Sequence, residues 1–597
     1  MAKFGLIVVL CSILLCKIHG QEERFVTTPV GTIKGFTDTL SFDGKTYSYT
    51  KFLGIPFAES TEGFRRFAKP VKKAPFAEIY DATEEKHACV QNPLWDQNPP
   101  PSSEDCLNLN IFVPANVSVN NPSPVMLFIF GGGFQQGYQN PYGIGALPVV
   151  NDVIYVTINY RVSIFGFLAH DKLGLKGNYG LWDQQMGIQW VHDNIASFGG
   201  SPDHVTIFGE SAGGASVIYQ ALYEGNIGLF RSVIAESGAP GAYWSYAENL
   251  DDLSGRVIEA LDCMKESTDD TLECLRMKTA DEITSVLSGA AFPPVHDNDF
   301  LKYDPAHLYD ASIPASRDAL AVFGNFDAII GINSNESALE IFYAFTYGLF
   351  ENNITFPDGL TPELAKNFLI YNFKTMNMDV DDSIVNSIIH EYTDWSDPRN
   401  PFKISEQVGD LLSDISFVVP AISALTAHAS EMSSARTYMY YFEHRPSYSM
   451  SPPFMKGASH MEEIPFVLGF PESFMKQVSA SIDDVTDSEI ALSRKMMTYW
   501  SQFATTGNPN SDPSNPTWPE YEVDSQKYII FRADQTPLPT AQHLIRRQVN
   551  YWNNVYPHLV KSVSDNEWKD WQCVASSAAQ QTISLYSLIG LVILLFI

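Results

Sequence analysis

Short apolar runs alternate with longer amphipathic stretches along most of the chain. Val125–Phe130 and Val153–Asn159 are largely apolar and of strand length. Leu181–Ser197 carries apolar residues at helical spacing and predicts a helix. His204–Phe208 predicts a strand, Ala212–Leu222 a helix and Arg231–Ala235 a further strand. Asp327–Ile332 and Arg436–Phe442 predict two more strands, and Asp487–Thr506 a helix with an apolar period of about 3.6. Apolar strands separated by helices predict a mostly parallel sheet covered on both faces. The length of 597 residues alone would suggest about four domains. No internal repeat and no Pro- or Ser-rich linker divides the chain, so one large α/β domain with helical insertions is expected.

Composition narrows the function classes. Hydrophobic residues make up 45% and charged residues 18%, which excludes disorder, collagen and coiled coil as the main state. The net charge of −31 excludes nucleic acid as a partner, because phosphate binding needs clustered Lys and Arg. An acidic surface attracts cations, and it equally keeps an extracellular protein soluble.

Both ends read as addresses. Lys3 precedes the apolar run Phe4–Cys16, followed by Lys17 and Gly20, the pattern of a signal peptide over residues 1–20. The alternative, a membrane anchor, needs a longer apolar run. At the other end, small residues Ala575–Ala578, a polar spacer with Gln580, Gln581 and Thr582, and the apolar tail Leu588–Ile597 have the layout of a glycosylphosphatidylinositol (GPI) signal. The expectation is a stalk over 558–576, attachment at Ser576 or a neighbour, and removal of 577–597. A short tail-anchor helix is the alternative. The mature protein is then extracellular and touches the membrane only through a lipid anchor.

Of the seven cysteines, Cys11 and Cys16 leave with the signal peptide. Cys89 with Cys106, and Cys263 with Cys274, would each close a short loop, as expected outside the cell. Cys573 is left over and suggests an interchain bridge in a homodimer, with a free thiol as the alternative. Asn116-Val-Ser and Asn353-Ile-Thr are glycan acceptors by pattern. Asn335-Glu-Ser also fits, but its Glu is a candidate catalytic residue and expected to be buried.

The most informative segment is Gly209-Glu-Ser-Ala-Gly213, a G-x-S-x-G sequence between a predicted strand and a predicted helix. A sharp turn exposes Ser211 Oγ, and the flanking glycines let neighbouring backbone approach. The helix N-terminus favours the negative charge that develops there. Alone, five residues match by chance often; strand before and helix after make Ser211 a candidate nucleophile rather than part of an ordinary turn. Acyl transfer also needs N–H donors where the carbonyl oxygen becomes negative. The loop Gly131-Gly-Gly-Phe134, directly after a strand, offers Gly132 and Gly133, and the residue after the serine offers Ala212. A nucleotide loop would need G-x-G-x-x-G or a Lys-Ser/Thr pair, and neither is present.

Phe52–Ala58, Glu104–Asn110, Gly131–Phe134, Asn159–Arg161, Asp183–Asn194 and Gly209–Gly213 together resemble the type-B carboxylesterase/cholinesterase family, from about residue 25 to about 557. The resemblance implies an α/β-hydrolase fold over residues 21–557, ester hydrolysis through an acyl-enzyme, and no cofactor or metal. Asn108 departs from the family's Tyr and is expected to be a packing change. A serine nucleophile needs a His to take its proton and a carboxylate to hold that His, in the chain order nucleophile, acid, base. Gly331–Glu336 resembles the family's acid loop and Gly457–His460 its histidine loop, which points to Glu336 and His460. Glu463 resembles a buried family glutamate that supports the site together with a serine, here Ser237; a simple buried hydrogen bond is the alternative.

Substrate is less legible. Trp95, in the loop that Cys89–Cys106 would close, stands near the position of a choline-binding Trp, and is otherwise a packing residue. Glu336 is followed by Ser337, Ala338, Leu339 and Glu340, without the aromatic pair of cholinesterases. Phe292–Tyr309 looks more like carboxyl ester lipases, and Trp244 resembles an acyl-pocket residue. A broad carboxylesterase acting on small-molecule or lipid esters is therefore expected. A cholinesterase and a non-catalytic neuroligin-like adhesion protein are the alternatives; the adhesion proteins generally lack a full triad.

Overall fold

The computed structural model describes residues 22–565 except 92–100, 288, 339–340, 342–358, 377, 379, 432–433, 511 and 514. The predicted signal peptide, the stalk end with Cys573, the tail, Trp95 and Asn353 lie outside the described residues.

A single large sheet organises the chain. Its strands of three or more residues are β1 (Glu23–Thr28), β2 (Gly31–Phe42), β3 (Lys45–Pro56), β4 (Asn108–Pro114), β5 (Ser123–Ile129), β6 (Ile154–Ile158), β7 (Gly200–Glu210), β8 (Ser232–Glu236), β9 (Asp327–Asn333), β10 (Thr437–Phe442), β11 (Lys527–Phe531) and β12 (Thr540–Gln542). The order across the sheet is β1-β2-β3-β4-β6-β5-β7-β8-β9-β10-β11-β12. From β6 to β11 the pairings are parallel. The pairings β1–β2, β2–β3, β3–β4, β4–β6 and β11–β12 are antiparallel. This is the α/β-hydrolase architecture.

The strand chemistry explains which parts were readable. Every residue of β6, β8 and β9 is buried, because helices cover both faces of a parallel sheet and the strands become continuous apolar runs. By contrast, β2 and β3 mix exposed and buried positions, and neither they nor β1 and β4 stand out in the sequence pattern. The covering helices include α1 (Tyr179–Asn194) and α2 (Ala212–Leu222). All eleven residues of α2 are buried, so it has no polar face.

A second region packs beside the sheet. Helices α3 (Pro362–Thr375), α4 (Asp382–Tyr392) and α5 (Pro401–Ser413) belong to it, and a π turn over Asp414–Val418 leads from α5 into α6 (Val419–Ser430), which packs on the sheet core. Leu369, Phe373, Ile388 and Leu412 form a separate hydrophobic cluster there with Tyr551 and Trp552. The unbroken helical run Pro401–Ser430 is apolar and long enough to span a bilayer, yet 83% of its apolar window is buried within the protein. Beyond it lie α7 (Ile464–Leu468) and α8 (Asp487–Thr506). The latter opens on a Thr486/Glu489 capping box and stops at Gly507 in the left-handed region. Disulfides join Cys89 to Cys106 and Cys263 to Cys274.

Asn108 is more than a packing change. Its Oδ1 accepts a hydrogen bond from Gln139 Nε2 at 2.6 Å, and the Gln139 N–H is donated to Asn159 Oδ1 at 3.0 Å. A polar network thus joins β4 to Gln139 and Asn159.

Candidate active site

The site lies at the carboxyl ends of the parallel strands, where open α/β sheets place their crevices. After β7 the chain turns through Ser211 at φ 59°, ψ −125° into α2. That conformation is strained for a residue with a side chain and persists only because its surroundings impose it. A Cβ on Gly213 would lie 2.0 Å from the Ile129 carbonyl oxygen, so this approach of helix to strand requires glycine. The Ser211 N–H is donated to the Glu236 carbonyl at 2.8 Å, tying the turn to β8. Ser211 is 1% exposed and its Oγ makes no hydrogen bond.

The glycine loop after β5 passes directly over this turn. A Cβ on Gly131 would lie 2.8 Å from Glu210 Oε2 and 2.9 Å from Ser211 Cβ. Gly132 and Gly133 both have positive φ, 111° and 60°. The N–H groups of Gly132, Gly133 and Ala212 take no part in backbone hydrogen bonds among the described residues. Gln135 holds the loop: its Nε2 donates to the Gly133 carbonyl at 3.0 Å and its Oε1 accepts the Phe292 N–H at 3.0 Å. The Phe292–Tyr309 stretch therefore borders the loop.

The acid and histidine loops are laced together. His460 Nδ1 lies 2.8 Å from Glu336 Oε2, and the His460 N–H reaches the Glu336 carbonyl at 3.3 Å. Glu336 Oε1 accepts from Ser237 Oγ and from the Asn333 N–H, each at 2.6 Å. Asn333 Nδ2 bridges to the Ser459 carbonyl at 2.8 Å and to Glu463 Oε2. Ser237 Oγ also lies 3.5 Å from Glu463 Oε1. Asn335 is 4% exposed and donates to the Lys456 carbonyl, a position closed to a glycan. Asn116, by contrast, is exposed on the surface beside Asp152.

Three groups absent from the sequence reading stand at the same place. Glu210, fully buried, has Oε1 3.0 Å from His460 Nε2. The imidazole is thus flanked by a carboxylate at each nitrogen. Burial pulls His460 down, but the charges of Glu210 and Glu336 and the hydrogen bond to Glu336 outweigh it and hold the imidazole well above its ordinary value. Burial pushes Glu210 up against the pull of His460, and pushes Glu463 up further with Glu210, Glu236 and Glu336 nearby. The second group is Glu236, fully buried on β8. The third is Phe417, on the π turn, with its ring centroid 4.6 Å from that of His460. Trp244 backs Phe417 at 5.7 Å, faces Phe134 at 6.5 Å, and donates its Nε1 hydrogen to the Ser416 carbonyl at 3.0 Å. Such π turns recur at functional sites. Glu210 was in plain view inside G-x-S-x-G, but nothing in its spacing announced its partner; Phe417 carried no signal.

The arrangement can take a proton from a serine hydroxyl, hold the resulting imidazolium, and present N–H groups to a developing oxyanion. Among the described residues no group of three or more His, Cys, Asp and Glu side chains is placed to hold a metal ion.

Comparison with known proteins agrees with this chemistry. The model of the carboxylesterase family matches residues 22–552. An acetylcholinesterase of Bungarus fasciatus is 31% identical over 582 residues, covering 92% of this chain and 89% of the relative. A cholinesterase of Mus musculus is 31% identical, covering 93% of this chain and 92% of the relative. An acylcarnitine hydrolase of Rattus norvegicus is 32% identical, covering 93% of this chain and 96% of the relative. The chain belongs to the carboxylesterase family and is a serine hydrolase of carboxylic esters.

Proposed function

We propose that the chain is a broad carboxylesterase working through Ser211, His460 and Glu336. The observation that carries this reading is the imidazole of His460 fixed by Glu336 at 2.8 Å beside the strained turn that holds Ser211. Ser211 attacks the ester carbonyl while His460 takes its proton. The N–H groups of Gly132, Gly133 and Ala212 hold the oxyanion. His460 then protonates the leaving alcohol, and water repeats the sequence to free the acid. Glu336 orients the imidazole and balances its charge, and Ser237 and Glu463 support Glu336 from behind. Trp244 and Phe417 wall the acyl side. The missing aromatic pair after Glu336 supports general esters over choline esters. A relative that is an acylcarnitine hydrolase supports the same choice.

An organophosphate should label Ser211 and leave Ser211→Ala unlabelled, with activity lost by several orders of magnitude. Near-normal turnover in that variant overturns the assignment. A panel of acetylcholine, short acyl, long acyl, and retinyl or steryl esters tests the substrate reading; acetylcholine hydrolysed as fast as simple esters would reverse it.

The two disulfides fit the secretory pathway. Within that setting the reading is a cleaved signal peptide over 1–20, glycans at Asn116 and Asn353, a Cys573-linked dimer, and a GPI anchor near Ser576. A phospholipase specific for such anchors should release the activity from cells, and retention counts against the anchor.

A further inference from the structure

Glu236 is a buried carboxyl group that the reaction above leaves without a task. It ends β8, and Glu210 ends β7 directly opposite it in the parallel register. Register partners on adjacent parallel strands project to the same face at a spacing of about 4.8 Å. Both residues are 0% exposed. Glu236 Oε1 accepts the Trp500 indole hydrogen at 2.7 Å, while Glu236 Oε2 has no partner. Both oxygens of Glu210 also lack a hydrogen-bond donor of acceptable geometry. Unpaired carboxylate oxygens in a dry interior are costly, and two adjacent buried carboxyl groups cannot both ionise. One of them keeps a proton. Glu210 faces His460 Nε2 at 3.0 Å, and that imidazole pulls it towards the ionised form, whereas among the described residues no cationic group lies beside Glu236.

We propose that Glu236 is a positioning residue, kept as a neutral carboxylic acid whose Oε2–H serves the Glu210 carboxylate and so fixes Glu210 against His460. The chain of donors then runs from Trp500 Nε1 to Glu236 Oε1, and from Glu236 Oε2 to Glu210, whose Oε1 faces the imidazole. The other ionisable groups around Glu236 are Glu463, Tyr155 and Tyr440. Glu463 already has a donor in Asn333. Both tyrosines are buried and pushed up by burial, so they stay neutral. Burial also pushes the Glu236 carboxyl up to about 8, against the Trp500 bond and with the Glu210 charge adding to the rise. The proposal rests on ester hydrolysis at Ser211 only for its kinetic readout.

The test compares Glu236→Gln and Glu236→Met with the unmodified protein. The amide keeps the Trp500 bond and supplies an N–H in place of the O–H, so the acid limb of kcat/KM should stay where it is. The thioether supplies no donor. Glu210 then takes up a proton more readily, His460 loses a carboxylate, and the acid limb should move to lower pH. In that variant kcat should fall roughly 10- to 100-fold with KM little changed, the scale expected on losing a hydrogen bond to a charged group. If Glu236 were ionised, the amide would remove a charge and shift the limb as far as Met does, which overturns the proposal. An unmoved limb in Glu236→Met overturns it as well. Infrared spectroscopy decides without turnover: at neutral pH the protein should show a protonated-carboxyl carbonyl band that Glu236→Gln lacks. The absence of any such difference refutes the neutral acid, even if the Met variant fails to fold.

Discussion

The central sheet and the helical layer of α3 to α5 each bury a hydrophobic cluster, but they touch the site in different ways. The sheet delivers side chains through loops at the ends of β7, β9 and β10, anchored by backbone pairing on both sides. The helical layer reaches the same site through the stretch where α5 gives way to the π turn: Ser413 Oγ accepts the Ser337 N–H, the Ser416 carbonyl accepts from Trp244, and Phe417 lies on His460. In this reading the sheet holds the chemistry and the layer shapes what fits beside it. Backbone ladders fix positions to fractions of an ångström, whereas packed helices shift with the volume of their side chains.

The comparison is sharpest where the two regions are perturbed in turn. Glu336→Gln acts on the sheet side, removes the group that orients His460, and should lower kcat roughly 10⁴-fold with the fold intact. Single-turnover kinetics checks this, and a loss of only a few-fold would move the orienting role elsewhere. Leu127 on β5 and Leu412 on α5 are both 0% exposed. Each truncation to Ala should cost about 2–5 kcal/mol in denaturant unfolding. Leu127→Ala should lose turnover together with stability, while Leu412→Ala should keep turnover of a short ester and lose discrimination among longer ones. Equal catalytic loss in both would erase the distinction between the regions. Phe417→Ala should change the ratio of kcat/KM between long and short acyl esters by roughly 10- to 100-fold, with organophosphate labelling of Ser211 preserved. Smallest is the pH effect. Two carboxylates hold the imidazole well above its ordinary value. Activity should therefore be lost as pH falls through a value above about 6.5, with the midpoint of the kcat/KM acid limb as the measurement.

How much was legible follows from the same contrast. The β7–Ser211–α2 unit could be read directly, because strand, tight turn and helix are consecutive and the glycines that close against Ile129 of β5 stand within the motif itself. Helix α8 was read to the residue from its apolar period, and the capping box and terminal glycine of the structure mark the same bounds. His460 and Glu336 were singled out only through the resemblance, being one of 13 histidines and one of 69 acidic residues. The four antiparallel strands β1 to β4 were missed. β2 and β3 mix exposed and buried positions over twelve residues each, so they show no continuous apolar run. The helical layer was missed because its helices bury their apolar faces against one another, forming a cluster that no single segment displays.

By itself the sequence determined the things that neighbouring residues decide. These are the sharp turn at Ser211, the glycine loop after β5, the strand and helix periods, and the charge that excludes nucleic acid. Only the tertiary structure decided which groups share one dry space. Glu210, Glu236, Glu336 and Glu463 come from four separate segments; the fold sets Glu210 and Glu336 against one imidazole and places Glu236 and Glu463 near them. Proton affinity depends on burial and on charges a few ångströms away. Those distances are set by strand register and loop closure across the chain, so glutamates that look alike in sequence end up in unlike surroundings.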